Sequence, residues 1–124
     1  MGTTATIAVF LEEENRYLWN TVNWDGYISH IGVLLYKCFN TITDIKELLV
    51  GREIRAMGFD GIERYEGDCL GARRGVYCLN EYNILSNSYV YLYKNGEWFV
   101  KYYETTEFVR LAPLADKEII DSIN

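Results

Sequence analysis

The stretch Tyr89-Val90-Tyr91-Leu92-Tyr93-Lys94-Asn95-Gly96-Glu97-Trp98-Phe99-Val100-Lys101-Tyr102-Tyr103 decides the fold. Asn-Gly between two runs of aromatic and β-branched residues is the strongest short-range signal for a β-hairpin, because both central residues of the tight primed turn need positive φ. With Asn95-Gly96 as the loop, Lys94 faces Glu97, Tyr93 faces Trp98, Tyr91 faces Val100 and Tyr89 faces Tyr102. Alternation then gathers Tyr89, Tyr91, Tyr93, Trp98, Val100 and Tyr102 on one face. Val90, Leu92 and Phe99 lie on the other, so the hairpin belongs inside a sheet. Each ring buries about 150 to 250 Å², and the aromatic slab needs a cover. Helices of the same chain can supply it, or a second copy can. The expectation is a homodimer or larger assembly through Tyr89, Tyr91, Tyr93, Trp98 and Tyr102, apolar at its centre and hydrogen-bonded at its rim.

Upstream, Ala5, Ile7, Val9 and Leu11 alternate with Thr4, Thr6, Ala8 and Phe10, the period of a half-buried strand. After the polar break Glu12 to Asn15, Arg16 to Asn23 reads as a second strand, and the two make a hairpin. Trp24-Asp25-Gly26-Tyr27 ends it in a turn, with a glycine suited to positive φ and an aspartate able to bond its own backbone. Ile28, Ile31, Leu34, Leu35, Cys38 and Phe39 then recur at three- and four-residue spacing, which predicts an amphipathic helix. Asn40-Thr41 stops it. Thr41, with Asp44 three residues on, resembles a capping box for a second helix that carries Ile42, Ile45, Leu48 and Leu49 and ends at Gly51.

The segment Arg52 to Cys78 holds five glycines and little periodicity, and reads mostly as a long loop with short extended pieces. So long a loop in a compact domain points to function. Downstream of the aromatic hairpin, Phe108 to Leu111 predicts a short edge strand. Pro113 marks the entry to a closing helix outlined by Leu114, Ile119, Ile120 and Ile123. The fold class is therefore α+β: an antiparallel sheet built from hairpins, with two or three helices packed on it, in a single domain over residues 1–124.

The chain of 124 residues carries a net charge of −6, which disfavours direct nucleic-acid binding, since phosphate affinity rests on an excess of Lys and Arg. It contains no apolar run long enough to span a membrane, and its N-terminus lacks the basic region of a signal peptide, so the expected location is the cytoplasm. Cys38, Cys69 and Cys78 form no C-x-x-C pair, and His30 is the only histidine. Free thiols and no metal site are expected.

Nothing in the chain has the form of a nucleophilic triad, a phosphate loop or a dinucleotide fingerprint, and no cofactor is expected. Two clusters stand out. Trp24, Asp25 and Tyr27 place two rings and a carboxylate on one turn, and Arg73 and Arg74 sit in a glycine-flanked stretch, Gly71 to Gly75, followed by Tyr77. Rings stack on bases, guanidinium groups hold phosphates in bidentate fashion, and a carboxylate accepts from ribose hydroxyls or base amines. These six residues are the candidate ligand site of a protein that captures a small nucleotide-like molecule. The same residues also have a purely structural reading, with rings capping the core, Asp25 making the turn and the arginines pairing with the acidic loop. An alternative function lies with Asp60, Glu63, Glu66 and Asp68, whose carboxylates could imitate a phosphate backbone and dock on the nucleic-acid channel of another protein. A third is an enzyme acting on a nucleotide with Asp25 or Glu63 as acid or base.

Asn23-Trp24-Asp25-Gly26-Tyr27, then Ile31-Gly32, a helix, and Asn40-Thr41 opening a second helix resemble a family of small bacteriophage and prophage proteins. Its pattern runs H-W-D-G-Y-P-x-x-V-G, a helix, Y-N-T, and a helix ending in L-G. Arg73-Arg74-Gly75 and Tyr91 to Trp98 look like the family's R-D-R-G segment and its aromatic strand with a glycine turn, so the resemblance covers most of residues 3 to 103. Asn23 stands in place of histidine, Ile28 of proline, Ile31 of valine, and the aspartate between the arginines is missing. The resemblance implies a phage origin. Small phage proteins made outside the virion often blunt bacterial defences, by sequestering a nucleotide messenger, occluding a nuclease in the manner of an anti-CRISPR, or imitating DNA.

Overall fold

The protein is described from a computed structural model, which covers residues 3–66, 74–85 and 87–123. The aromatic hairpin forms as β6 (Tyr89–Lys94) and β7 (Glu97–Lys101), paired from Lys94 opposite Glu97 to Val90 opposite Lys101. Asn95 and Gly96 both take positive φ, 54° and 80°, the requirement that singled them out. The first hairpin joins β1 (Ala5–Leu11) to β2 (Arg16–Val22), in register from Ala5 opposite Val22 to Leu11 opposite Arg16.

Between Gly51 and Glu81 the chain is more regular than its glycines imply. It contains β3 (Ile54–Gly58), β4 (Gly61–Arg64) and β5 (Val76–Cys78), and β8 (Val109–Arg110) follows β7. The eight strands make one sheet in the order β4-β3-β2-β1-β6-β7-β8, with β5 also on β2. Most pairings are antiparallel, but β1 runs parallel to β6, and β2 meets β3 parallel through the pair Val22 and Ile54. The sheet is therefore mixed, where hairpins alone predict an antiparallel one. Long crossover connections allow these parallel contacts, helical between β2 and β3, and strand periodicity carries no information about them.

The helices lie on one face of this sheet, giving the α+β architecture. A π-helical turn, Ile28–Gly32, leads into α1 (Val33–Cys38); α2 (Ile42–Val50) follows, and α3 (Leu111–Ile123) closes the chain. Thr41 caps α2, its Oγ1 accepting from the Asp44 N–H at 3.2 Å. The π turn corrects the expectation of a single regular helix. Ile28, Ile31, Leu34 and Leu35 are buried along the apolar stripe all the same, while Cys38, the last residue of α1, is exposed. In α3 the buried positions are Leu111 and Ala115, and Ile120 and Ile123 are exposed. In its last turns only Ile119, half-buried, packs against the core. No helix of the described residues is long and apolar enough to cross a membrane.

Beneath the helices lie Ala5, Ile7, Val9 and Leu18 together with Tyr91, Tyr93, Trp98 and Val100. The aromatic slab is thus covered by its own chain. Tyr91 is 0 %, Trp98 4 % and Tyr93 7 % exposed, and these residues offer no surface to a second copy. Their polar tips explain why the slab is built from Tyr and Trp. Tyr91 Oη donates to the Gly26 carbonyl at 2.7 Å, Trp98 Nε1 to Phe39 O at 2.7 Å and Tyr93 Oη to Asn40 O at 3.0 Å. The last two carbonyls lie just past the end of α1, where helix geometry leaves acceptors without donors. On the opposite face Ala8, Tyr17, Val90 and Leu92 form a smaller cluster closed by Ile84, from a 3₁₀ turn at Glu81–Ile84.

Candidate functional site

Trp24-Asp25-Gly26-Tyr27 follows β2 and is clamped from two sides. The positive φ falls on Asp25, at 56°, a conformation that short polar side chains tolerate. Gly26 answers a different need, close approach. A Cβ there would stand 2.7 Å from the Ala5 Cβ and 2.8 Å from Thr3 O. Its N–H donates to Thr3 O at 2.9 Å, and its carbonyl takes the buried Tyr91 hydroxyl. Tyr27 Oη donates to Asp25 Oδ1 at 3.0 Å, and that hydrogen bond pushes the phenol pKa up. Upstream, Asn23 Nδ2 donates to Glu53 Oε2 at 2.7 Å and to Tyr65 Oη at 2.8 Å. The position at which the resembled family carries histidine here ties β2 to the β3–β4 hairpin.

The clamp presents Tyr27 to a groove of about 330 Å³, at the small end of the range for ligand sites. Tyr27, Ile28 and Ser29 form one wall, and Leu114, Lys117 and Glu118 of α3 another. Tyr89, Tyr102, Tyr103 and Glu104, from the open end of the aromatic hairpin, complete it. The Tyr89 and Tyr102 rings stack at 5.7 Å with planes 5° apart, and Tyr103 stands at 90° to both. A tight turn fixes this corner: Thr105 N–H donates to Tyr102 O at 2.9 Å, and Tyr102 N–H to Thr105 Oγ1 at 3.0 Å. Desolvation raises the pKa of Tyr89, and desolvation followed by a hydrogen bond to Glu104 raises that of Tyr102. Both phenols stay protonated at neutral pH. Tyr103 is 77 % exposed and Tyr27 39 %, leaving ring faces open to a planar guest. Two carboxylates, Glu104 and Glu118, share the groove with the one ammonium of Lys117.

The other expected site residues lie elsewhere. Trp24 is half exposed and does not line the groove. Tyr77 pairs with Leu18 in β5, six strand positions before Trp24, or roughly 20 Å away at about 3.3 Å per residue. One face of its ring is occupied by the Arg16 guanidinium, 3.7 Å from the centroid. Arg74 is bridged through its backbone to Arg52, and Arg73 lies outside the described residues. Tyr77 and the Trp24 turn therefore do not converge. In the acidic alternative, Asp60 and Glu63 line an open cleft at the β3–β4 turn, and Glu66 follows β4 in an exposed position. Glu63 is held by Arg55 at 2.6 Å, and Asp68 lies outside the described residues.

Of the groove, sequence reasoning singled out Tyr27 for ligand binding, and assigned Tyr89 and Tyr102 to a dimer face. It passed over Ser29, Tyr103, Glu104 and Lys117. One available signal was the doubled ring Tyr102-Tyr103 followed by an acid, just past the last paired residue of the hairpin. His30 is engaged structurally, its Nε2 2.7 Å from Met57 O, so that nitrogen carries the proton and donates. Among the described residues no group of three or more His, Cys, Asp or Glu side chains could hold a metal ion. The arrangement can stack a planar ring, donate hydroxyl hydrogen bonds and accept from amines through its carboxylates. No protein-family model, no curated protein and no solved structure matches the chain.

Proposed function

We propose that this chain is a binding protein that holds a small nucleotide-like ligand in the tyrosine groove without transforming it. On the resemblance of its W-D-G-Y segment, we further propose that it is a phage protein that sequesters such a signal in the host cytoplasm. The observation that carries the reading is the meeting of Tyr27, from that segment, with Tyr89, Tyr102 and Tyr103 around one groove. Every base has a π-face, and each stacking partner contributes about 1–3 kcal/mol by alanine substitution. The Ser29 hydroxyl and the groove carboxylates suit ribose hydroxyls and exocyclic amines.

Isothermal titration against a panel of cyclic, linear and ADP-ribose-derived nucleotides tests the reading. Tyr103→Ala removes a largely exposed ring, so the fold should be kept while affinity falls by roughly 5- to 150-fold, the equivalent of one stacking contact. Denaturing the complex should return the ligand intact by mass spectrometry. If nothing in the panel binds more tightly than about 1 mM, or if Tyr103→Ala leaves binding unchanged, the reading fails.

A further inference from the structure

We infer that the ring seated in this groove is a positively charged planar heteroaromatic, of the pyridinium or N-alkylated purine kind, and that the protein recognises its ligand by this ring and not by its phosphates. The inference rests on the reading of the tyrosine groove as the ligand site and adds the chemistry of the guest.

Charge comes first. The groove sets Glu104 and Glu118 against Lys117 alone, in a chain whose net charge is −6. A phosphate brought into that space meets an excess of carboxylate, and the field of the whole molecule opposes it at longer range. A cation meets attraction on both scales. Shape comes second. Tyr89, Tyr102 and Tyr103 touch one another, with centroids 5.3–6.2 Å apart, so no hollow is left among them for a compact ammonium group. The open surfaces are the faces of Tyr103 and Tyr27. A flat cation can lie over such a face, where ring quadrupole and charge attract one another by ~0.5–2 kcal/mol depending on desolvation. Chemistry comes third. A neutral phenol presents that negative face, and the hydrogen bond from Tyr27 Oη to Asp25 Oδ1 at 3.0 Å raises the Tyr27 pKa and keeps that ring neutral. In a nucleotide the phosphates would then trail past Lys117 into solvent.

The test uses the full chain and two nearly isosteric probes, 1-methylnicotinamide, a permanent cation, and nicotinamide, its neutral parent, with inorganic pyrophosphate as competitor. The cation should bind about tenfold more tightly than the neutral ring, the factor expected of ~1.4 kcal/mol of charge recognition. Pyrophosphate should not displace it. Added salt should shrink the preference, and the Glu104→Gln/Glu118→Gln double variant should reduce it to about threefold or less while circular dichroism stays unchanged. The salt series needs no variant, so it decides the matter should the double variant fail to fold. Equal binding of the two probes overturns the inference and leaves the nucleotide reading standing. Nucleotides that bind, are displaced by pyrophosphate and ignore both rings do the same. If neither the rings nor any nucleotide binds, both readings fall together.

Discussion

Tyr91 links the buried slab to the groove through one hydrogen bond. Its hydroxyl reaches the Gly26 carbonyl at 2.7 Å, and Gly26 is packed too closely on β1 to accept a side chain. Tyr91→Phe keeps the ring and removes only the donor, leaving a buried carbonyl unpaired at a cost of about 1–3 kcal/mol. Thermal denaturation should show that loss. Titration should show weaker ligand binding as well, because the carbonyl anchors the residue before Tyr27. A melting temperature equal to that of the parent would mean that the bond does not contribute to stability. At this scale the sequence was partly legible. A turn at Asp25-Gly26 could be read from residue type, but which of the two took positive φ depended on the neighbouring strand, which no local pattern specifies.

At the scale of elements, the hairpin register followed from two facts visible in the sequence: a two-residue Asn-Gly loop admits one turn family, and apolar residues flanked it at period two. The β3–β4 hairpin shows neither. Its turn is Phe59-Asp60, its strands are short, β4 is exposed over most of its length, and its regularity depends on contacts outside it, with β2, with His30 and with α2. Arg64 holds this hairpin to α2. Its Nη2 donates to Leu48 O and its Nη1 to Arg52 O, both at 2.6 Å; these are carbonyls at and just beyond the end of the helix, and desolvation lowers the guanidinium pKa. Arg64→Lys keeps the charge but not the fork, which spans two acceptors at once. The expected cost is about 1.5–3 kcal/mol, with faster amide exchange confined to the last turn of α2 and to β4. Exchange unchanged in both would show that the two elements hold without this clamp. The groove escaped sequence reasoning for a related reason. Tyr27, Tyr102 and Lys117 come from three separated segments, brought together by the parallel pairing of β1 with β6 and by the docking of α3 on the π turn.

Across the whole molecule, buried phenols set the alkaline limit of stability. Burial and a hydrogen bond to Glu81 push Tyr17 up to about 12 from an ordinary value of 10.0, and burial raises Tyr91 well above the same value. A raised phenol pKa means that the unfolded chain loses its proton first. The stability these groups contribute is therefore complete below about pH 10 and drains away as pH rises toward about 12. Unfolding by urea, followed across that window, should show a falling midpoint, and native tyrosinate absorbance should lag behind that of the denatured chain. Coincident titration curves for the two states would contradict the assignment.

The parallel partnership of β1 with β6 also bears on the order in which the chain acquires its structure. Ala5 to Val9 lies at the middle of the sheet, between β2 and strand residues Tyr89 to Tyr93, so β1 waits for a strand synthesised long after it to complete its pairing. Contacts so distant along the chain demand an entropically expensive loop closure before they return any stabilisation, and proteins dominated by them fold slowly. Until β6 emerges, the outer edge of β1 is an unpaired strand that can recruit another chain. A chain ending at Ser88 should therefore show no cooperative melting transition and should aggregate as it is made. A truncated product that melts cooperatively would show that the segment up to Ser88 is an autonomous folding unit.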